Sequence, residues 1–234
     1  MKTLVFFHGW GTTGAIWQRQ RDAFAARIPA LYPDIPAWEP GWIAKYLENL
    51  PLRDCVLVGW SLGGMMLLAT LPGMAARPAG LVLVGAAASF CRRPDHPYGQ
   101  PPSLVRAMRR GLKTDPGAVL RDFAQRCLAP GESSFQEEIL GYFRSPASPE
   151  NLAAGLDFLV RQDCRGMLKK VSGAVVIIQG EQDAIAPPAQ GRFLHEQIPG
   201  SKLFRLEDAG HLPFLTQAEK FNAILEGIMR LSQK

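Results

Sequence analysis

The chain has 234 residues, 47% of them hydrophobic, and a net charge of +5. That is enough apolar side chain for one buried core and too much for a disordered polymer, while no apolar run approaches the roughly 18 residues a membrane helix needs. The four cysteines (Cys55, Cys91, Cys127 and Cys164) fall in no CxxC or CxxxC spacing, which removes the common zinc pattern and gives no reason to expect a disulfide framework.

The opening run Leu4-Val5-Phe6-Phe7 is too short for the apolar stretch of a signal peptide, and His8-Gly9-Trp10-Gly11 follows it at once. It reads as a buried strand, and the chain is expected to be cytoplasmic. Thr13 to Ala26 reads as a helix, Ile28 to Tyr32 as a weaker strand containing Pro29, and Trp42 to Leu50 as a helix. Cys55-Val56-Leu57-Val58 is a strand with Cys55 as a small core residue, followed by a helix from Leu62 to Leu71 that Pro72-Gly73 ends. Leu81-Val82-Leu83-Val84 is another strand. Continuous apolar strands alternating with helices predict a mostly parallel sheet covered on both faces.

The alternation breaks between about Ser89 and Lys170. Pro94, Pro97, Pro101 and Pro102 mark an irregular exit, and helices are expected at Ser103–Lys113, Pro116–Leu128, Phe135–Phe143 and Pro149–Asp163. The pattern resumes with a strand at Val175–Ile178, a helix near Pro188–Gln197, a strand at Lys202–Leu206 and a helix from Gln217 to Leu231. The expected organisation is an α/β core from residues 1–88 and 171–234 carrying a helical insertion at 89–170. Between Arg92 and Arg126 eight basic residues face three acidic ones. That segment holds a net charge equal to the whole chain's, which favours an anionic partner there or else a solvated helical face.

Gly59-Trp60-Ser61-Leu62-Gly63 matches G-x-S-x-G between a buried strand and a helix, the context in which a serine stands on a sharp turn above a sheet. A serine hydroxyl needs a base, and the base needs an orienting acid. Of the four histidines, His8 sits in the first turn, His96 in a Pro-rich loop and His195 within a helix; His211 lies in a loop after a late strand. Asp183 follows the strand before it, which gives the order Ser61, Asp183, His211. Glu207 and Asp208, near His211 in sequence, rank below Asp183 for the acid. The oxyanion donors are expected to be the backbone N–H groups of Leu62 and of Trp10 in the Gly-rich turn. The glycine spacing after that turn is not GxGxxG, and the set requires no metal and no organic cofactor.

His8-Gly9-Trp10-Gly11, Gly59-Trp60-Ser61-Leu62-Gly63-Gly64, Gly180-Glu181-Gln182-Asp183 and Ala209-Gly210-His211 together resemble the α/β-hydrolase superfamily. The pairing of HGWG with GWSLGG resembles, more narrowly, the pimeloyl-acyl-carrier-protein methyl ester esterases of biotin synthesis. The resemblance implies Ser61, Asp183 and His211 as triad, Trp10 and Leu62 as oxyanion donors, and a lid whose arginines face acyl carrier protein. Arg106, Arg109, Arg110, Arg121 and Arg126 are the candidates for that contact. The chain begins almost at the HGWG strand, so a reduced α/β-hydrolase sheet of about six strands is expected. The expected activity is hydrolysis of a methyl ester by a monomer acting on a small-molecule or carrier-bound substrate, with no nucleic-acid motif. The rivals are a general short-chain esterase, an enzyme of the same fold acting on a small anionic metabolite, and a non-catalytic binding module. Arginines turned into the cleft favour an anionic metabolite; arginines turned outward favour a carrier protein.

Overall fold

The structure is a computed structural model describing residues 2–144 and 148–231; residues 145–147 of the expected insertion and 232–234 of the expected core lie outside it. Six strands form one sheet: β1 (Thr3–Phe7), β2 (Ala30–Leu31), β3 (Cys55–Trp60), β4 (Gly80–Val84), β5 (Ala174–Gly180) and β6 (Lys202–Leu206). Their order is β2-β1-β3-β4-β5-β6, and every pairing is parallel. β3 and β4 are buried along their whole length, as their unbroken apolar sequences require when helices cover both faces. β2 is reduced to two residues at the edge beside Pro29 and Pro33, because proline cannot donate to a ladder. At the opposite edge β6 is mostly exposed.

The helices of the core are α1 (Gln18–Phe24), α2 (Pro40–Glu48), α3 (Leu62–Thr70), α8 (Pro188–Gln197), α9 (Pro213–Thr216) and α10 (Ala218–Leu231). α3 is apolar on all sides and buried over nearly its whole length, the signature of a helix packed between the sheet and other helices. One expected helix proves divided. Gly14–Trp17 is a 3-10 turn capped by Thr13, and α1 starts only at Gln18. Gly14 lies so close to the Tyr32 carbonyl that a Cβ could not fit, and its N–H donates to Asp34 Oδ1 (2.7 Å). The C-terminal helix keeps close to its expected bounds, Ala218–Leu231, and follows the separate short α9.

Between β4 and β5 come α4 (Pro102–Gly111), α5 (Pro116–Arg126), α6 (Gln136–Tyr142) and α7 (Pro149–Arg161), with no strand among the described residues of that segment. Their starts are written locally. Each of α4, α5 and α7 opens on a proline in its first turn, and Asp115 and Ser148 cap α5 and α7 by accepting from Ala118 N (2.8 Å) and Asn151 N (3.3 Å). No helix among the described residues is long and apolar enough to cross a membrane. All four cysteines are buried and free.

The turn after β1 is fixed by a buried neutral histidine. The ring of His8 bonds at Nδ1 to the Gly9 carbonyl (2.9 Å) and at Nε2 accepts from Ile35 N (2.9 Å). Burial pushes its pKa from 6.5 down to about 4, against smaller upward pulls from the Gly9 carbonyl and Asp34. A depressed folded value means that the unfolded chain takes the proton first, so this contribution is complete above pH 6.5 and is lost as the pH falls toward 4. Chemical denaturation at pH 7 and pH 4 should show a loss of about 3 kcal/mol from this residue. The loss should be absent from the pH slope of His8→Asn; an unchanged slope in that variant would refute the assignment.

Candidate active site

Ser61 stands between β3 and α3 with φ 52° and ψ −117°, and among the described residues it is the one non-glycine with positive φ. Such a conformation costs an L-residue about 1–3 kcal/mol and persists only where its surroundings enforce it. Those surroundings are packed glycines. A Cβ on Gly59 would lie 2.6 Å from Gly64 Cα, one on Gly9 2.7 Å from the Trp60 ring, and one on Gly63 would collide with the His8 carbonyl. The elbow and the HGWG turn are therefore pressed together backbone to backbone.

Two backbone donors of these turns are left unspent. The helix begins with Met65 N donating to Ser61 O (3.0 Å), so the N–H of Leu62 has no carbonyl to bond within α3. Among the described residues the Trp10 N–H also has no protein acceptor. Trp10's indole turns away into the helices above, donating to Leu152 O (2.8 Å) and packing edge-on to Phe123. The residue is anchored by its side chain and leaves its backbone unspent.

His211 Nδ1 lies 2.7 Å from Asp183 Oδ2, with both side chains fully buried. Facing a carboxylate, Nδ1 carries the proton, which leaves Nε2 with its lone pair. Nε2 is buried and has no hydrogen-bond partner. The other carboxylate oxygen, Oδ1, accepts from Ile185 N and Ala186 N, both at 2.8 Å, and Gln179 Nε2 approaches Oδ2 at 3.5 Å while bonding the Gly180 and Ala186 carbonyls. Asp183 is thus held as an oriented acceptor. The acid and histidine loops are zipped by Gln182 N to Ala209 O (3.0 Å), and Gly180 approaches the Ala209 and Gly210 carbonyls too closely for a side chain.

The same contacts bring the imidazole to the elbow. Trp60 donates its indole N–H to His211 O (2.9 Å), with ring centroids 5.4 Å apart. Ser61 N bonds Val84 O (2.8 Å), and the next residue, Gly85, at φ 51°, lies against the imidazole: a Cβ there would be 2.9 Å from His211 Nδ1 and 3.2 Å from Asp183 Oδ2. Gly85 and Trp60 are contributors that sequence reading left out. The glycine directly after a buried strand was the available signal for Gly85. Glu207 and Asp208 are exposed and make no approach to the imidazole.

The helices between β4 and β5 cover this centre. His211 N donates to Cys127 O (2.7 Å), Gln100 Nε2 bonds the Ala184 and Ile185 carbonyls beside Asp183, and Leu120 and Phe143 pack against Gly11. Ser61 is only 7% exposed. A cleft of about 320 Å³ opens between α5 and α6, lined by Leu120, Leu140 and Phe143 with Arg121 and Arg144. Neither this cleft nor the larger ones, about 500 Å³ beside β2 and 660 Å³ between α2 and the end of α3, is lined by Ser61, Asp183 or His211.

The five expected arginines divide. Arg106, Arg110 and Arg121 are exposed. Arg106 and Arg110 share one face of α4 and make no ion pair among the described residues. Arg121 pairs loosely with Asp115 (3.9 Å) and Arg126, half-buried, with Asp122 (3.9 Å). Arg109 is spent inside the layer, bridging α4 to α7 through Asp157 at 2.6 Å.

Comparison with known proteins identifies the family. The model of the alpha/beta hydrolase family matches residues 4–224. A pimeloyl-[acyl-carrier protein] methyl ester esterase of Aromatoleum aromaticum is 33% identical over 245 residues, covering 97% of this chain and 98% of the relative. A protein of the same name from Nitrosospira multiformis is 27% identical, covering 94% and 91%. Among solved structures, an esterase from Exiguobacterium antarcticum superposes with a TM-score of 0.90 at 24% identity, covering 98% of this chain and 92% of that one. With its parallel six-stranded sheet and a family match across nearly its whole length, the chain belongs to the alpha/beta hydrolase family.

Proposed function

We propose that the chain is a serine carboxylesterase that hydrolyses the methyl ester of a pimeloyl group carried on acyl carrier protein, in biotin synthesis. The observation that carries the chemistry is the buried His211–Asp183 pair at 2.7 Å, its Nε2 unpaired, beside the strained elbow that holds Ser61. In this reading Ser61 Oγ attacks the ester carbonyl while His211 Nε2 takes its proton. The oxyanion is held by the N–H groups of Leu62 and Trp10. The imidazolium, steadied by Asp183, returns the proton to departing methanol, and water then repeats the sequence to release the acid.

The substrate assignment rests on the names of the relatives and on where the free positive charge lies. Residues 89–170 are read as a lid. Its exposed Arg106 and Arg110, without an ion pair among the described residues, offer a cationic surface to an acidic carrier; Arg121, also exposed, lines the cleft between α5 and α6 and pairs loosely with Asp115. Charges at such a rim act mainly through encounter rate and specificity.

Three experiments test the proposal. A fluorophosphonate probe should label the wild-type chain and leave Ser61→Ala unlabelled. Asp183→Asn should remain folded and lose about 10⁴-fold in kcat, because it presents the wrong hydrogen-bond partner to the imidazole; retained turnover would move the acid elsewhere. The double variant Arg106→Glu/Arg110→Glu should lower kcat/KM for a carrier-bound methyl ester by at least about tenfold, in a salt-dependent way. It should hydrolyse p-nitrophenyl esters as the wild type does. Equal rates of the double variant and the wild type on the carrier-bound ester would reduce the protein to a general esterase.

A further inference from the structure

Glu132 is a buried carboxylate, 4% exposed, in the 3-10 turn Pro130–Phe135 between α5 and α6. A carboxylate taken from water normally finds a cation or several donors. Glu132 makes no ion pair among the described residues, and its Oε1 has no hydrogen-bond partner. Oε2 alone is engaged, accepting from Ala129 N (2.7 Å) in its own turn and from Gly210 N (3.0 Å) in the histidine loop. Gly210 fits because it has no side chain: a Cβ would lie 2.5 Å from Cys127 O and 2.8 Å from Glu132 Oε2. The next residue is His211, whose own N–H donates to Cys127 O at 2.7 Å. Two consecutive N–H groups of the loop that carries the imidazole are therefore bonded from above, by Cys127 and Glu132, while Asp183 and Trp60 hold the same residue from the sheet side.

We propose that Glu132 is a positioning residue for His211: its carboxylate pins the Gly210 backbone to the lid, and so fixes where Nε2 points relative to Ser61. This rests on the serine-esterase reading above and adds to it that the lid is part of the device that aims the base. The cost of burying a charge without a cation is sustained because the acceptor it provides is charge-assisted and reaches two backbone donors from different segments. Removing it leaves the Gly210 N–H unpaired under the lid and frees the loop to shift.

The test uses the full chain and a p-nitrophenyl ester, which needs no carrier contact. Glu132→Ala should lose about 10- to 100-fold in kcat, the scale expected of a misplacement near 1 Å, with KM within about twofold of the wild type. Glu132→Gln, which keeps an oxygen for the two N–H groups, should restore most of the rate. Glu132→Asp, which keeps the charge but withdraws the acceptor by one methylene, should be slow. Glu138→Ala removes the exposed Arg19–Glu138 pair joining α1 to α6 without touching the histidine loop, and should turn over as the wild type does. The proposal is overturned by a wild-type kcat in Glu132→Ala, by a slow Glu132→Gln, by a fast Glu132→Asp, or by a Glu138→Ala as slow as Glu132→Ala. If Glu132→Ala does not fold, the contrast of Gln with Asp decides alone. A wild-type chain that the fluorophosphonate fails to label would sink the serine-esterase reading, an outcome separate from all of these.

Discussion

The proposed reactive centre depends on holding a serine in a backbone conformation that glycine adopts freely and other residues resist. At φ 52° Ser61 gains its position at the apex of the turn, and the strain is sustained by contacts that cannot relax: Gly59 against Gly64, Gly63 against the His8 carbonyl, Gly9 against the Trp60 ring. The same contacts decide where the unspent N–H groups of Leu62 and Trp10 lie relative to the hydroxyl. A side chain at any of these glycines would part the two turns, and the donors with them. Fixing the serine and fixing its oxyanion donors are thus one packing problem.

Around this elbow the histidine is held from several directions by groups of different origin. Asp183 sets the tautomer, Trp60 holds the carbonyl, Gly85 leaves room for the ring, and the lid segment near Cys127 bonds the backbone. Electrostatic preorganisation of this kind works because the donors and acceptors are aligned before the reaction and shielded from water. The helical segment between β4 and β5 carries out a second division of labour. Some of its charges are consumed internally, as Arg109 is by Asp157, and others on the same helix stay in solvent, as Arg106 and Arg110 do.

Much of this was legible in the sequence, and what was not has a common cause. Apolar runs located the strands, and β3 and β4, the most continuous of them, are the ones buried throughout. The order of Ser61, Asp183 and His211 and the glycine spacing around the serine were enough to nominate three residues, of which the structure pairs His211 with Asp183 at 2.7 Å. Properties fixed by contacts between distant segments could not be read. Gly14, where the expected first helix gives way to a 3-10 turn, lies against the Tyr32 carbonyl. Arg109 looked as free as its neighbours until α7 supplied Asp157, 48 residues away. Trp10 was expected to matter through its N–H, but the anchor of its indole, Leu152, lies 142 residues further on. Glu132, an ordinary acidic residue in a Pro-Gly turn, meets Gly210 across 78 residues.

The central claim, that Ser61, His211 and the two backbone donors act on one carbonyl, is tested most directly by a crystal structure of the chain after reaction with a phosphonate ester, whose tetrahedral adduct imitates the intermediate. The account predicts phosphorus on Ser61 Oγ, one phosphonyl oxygen about 2.7–3.1 Å from the N–H groups of both Trp10 and Leu62, and His211 Nε2 turned toward the adduct. An adduct on another residue, or a phosphonyl oxygen that neither N–H reaches, would contradict it.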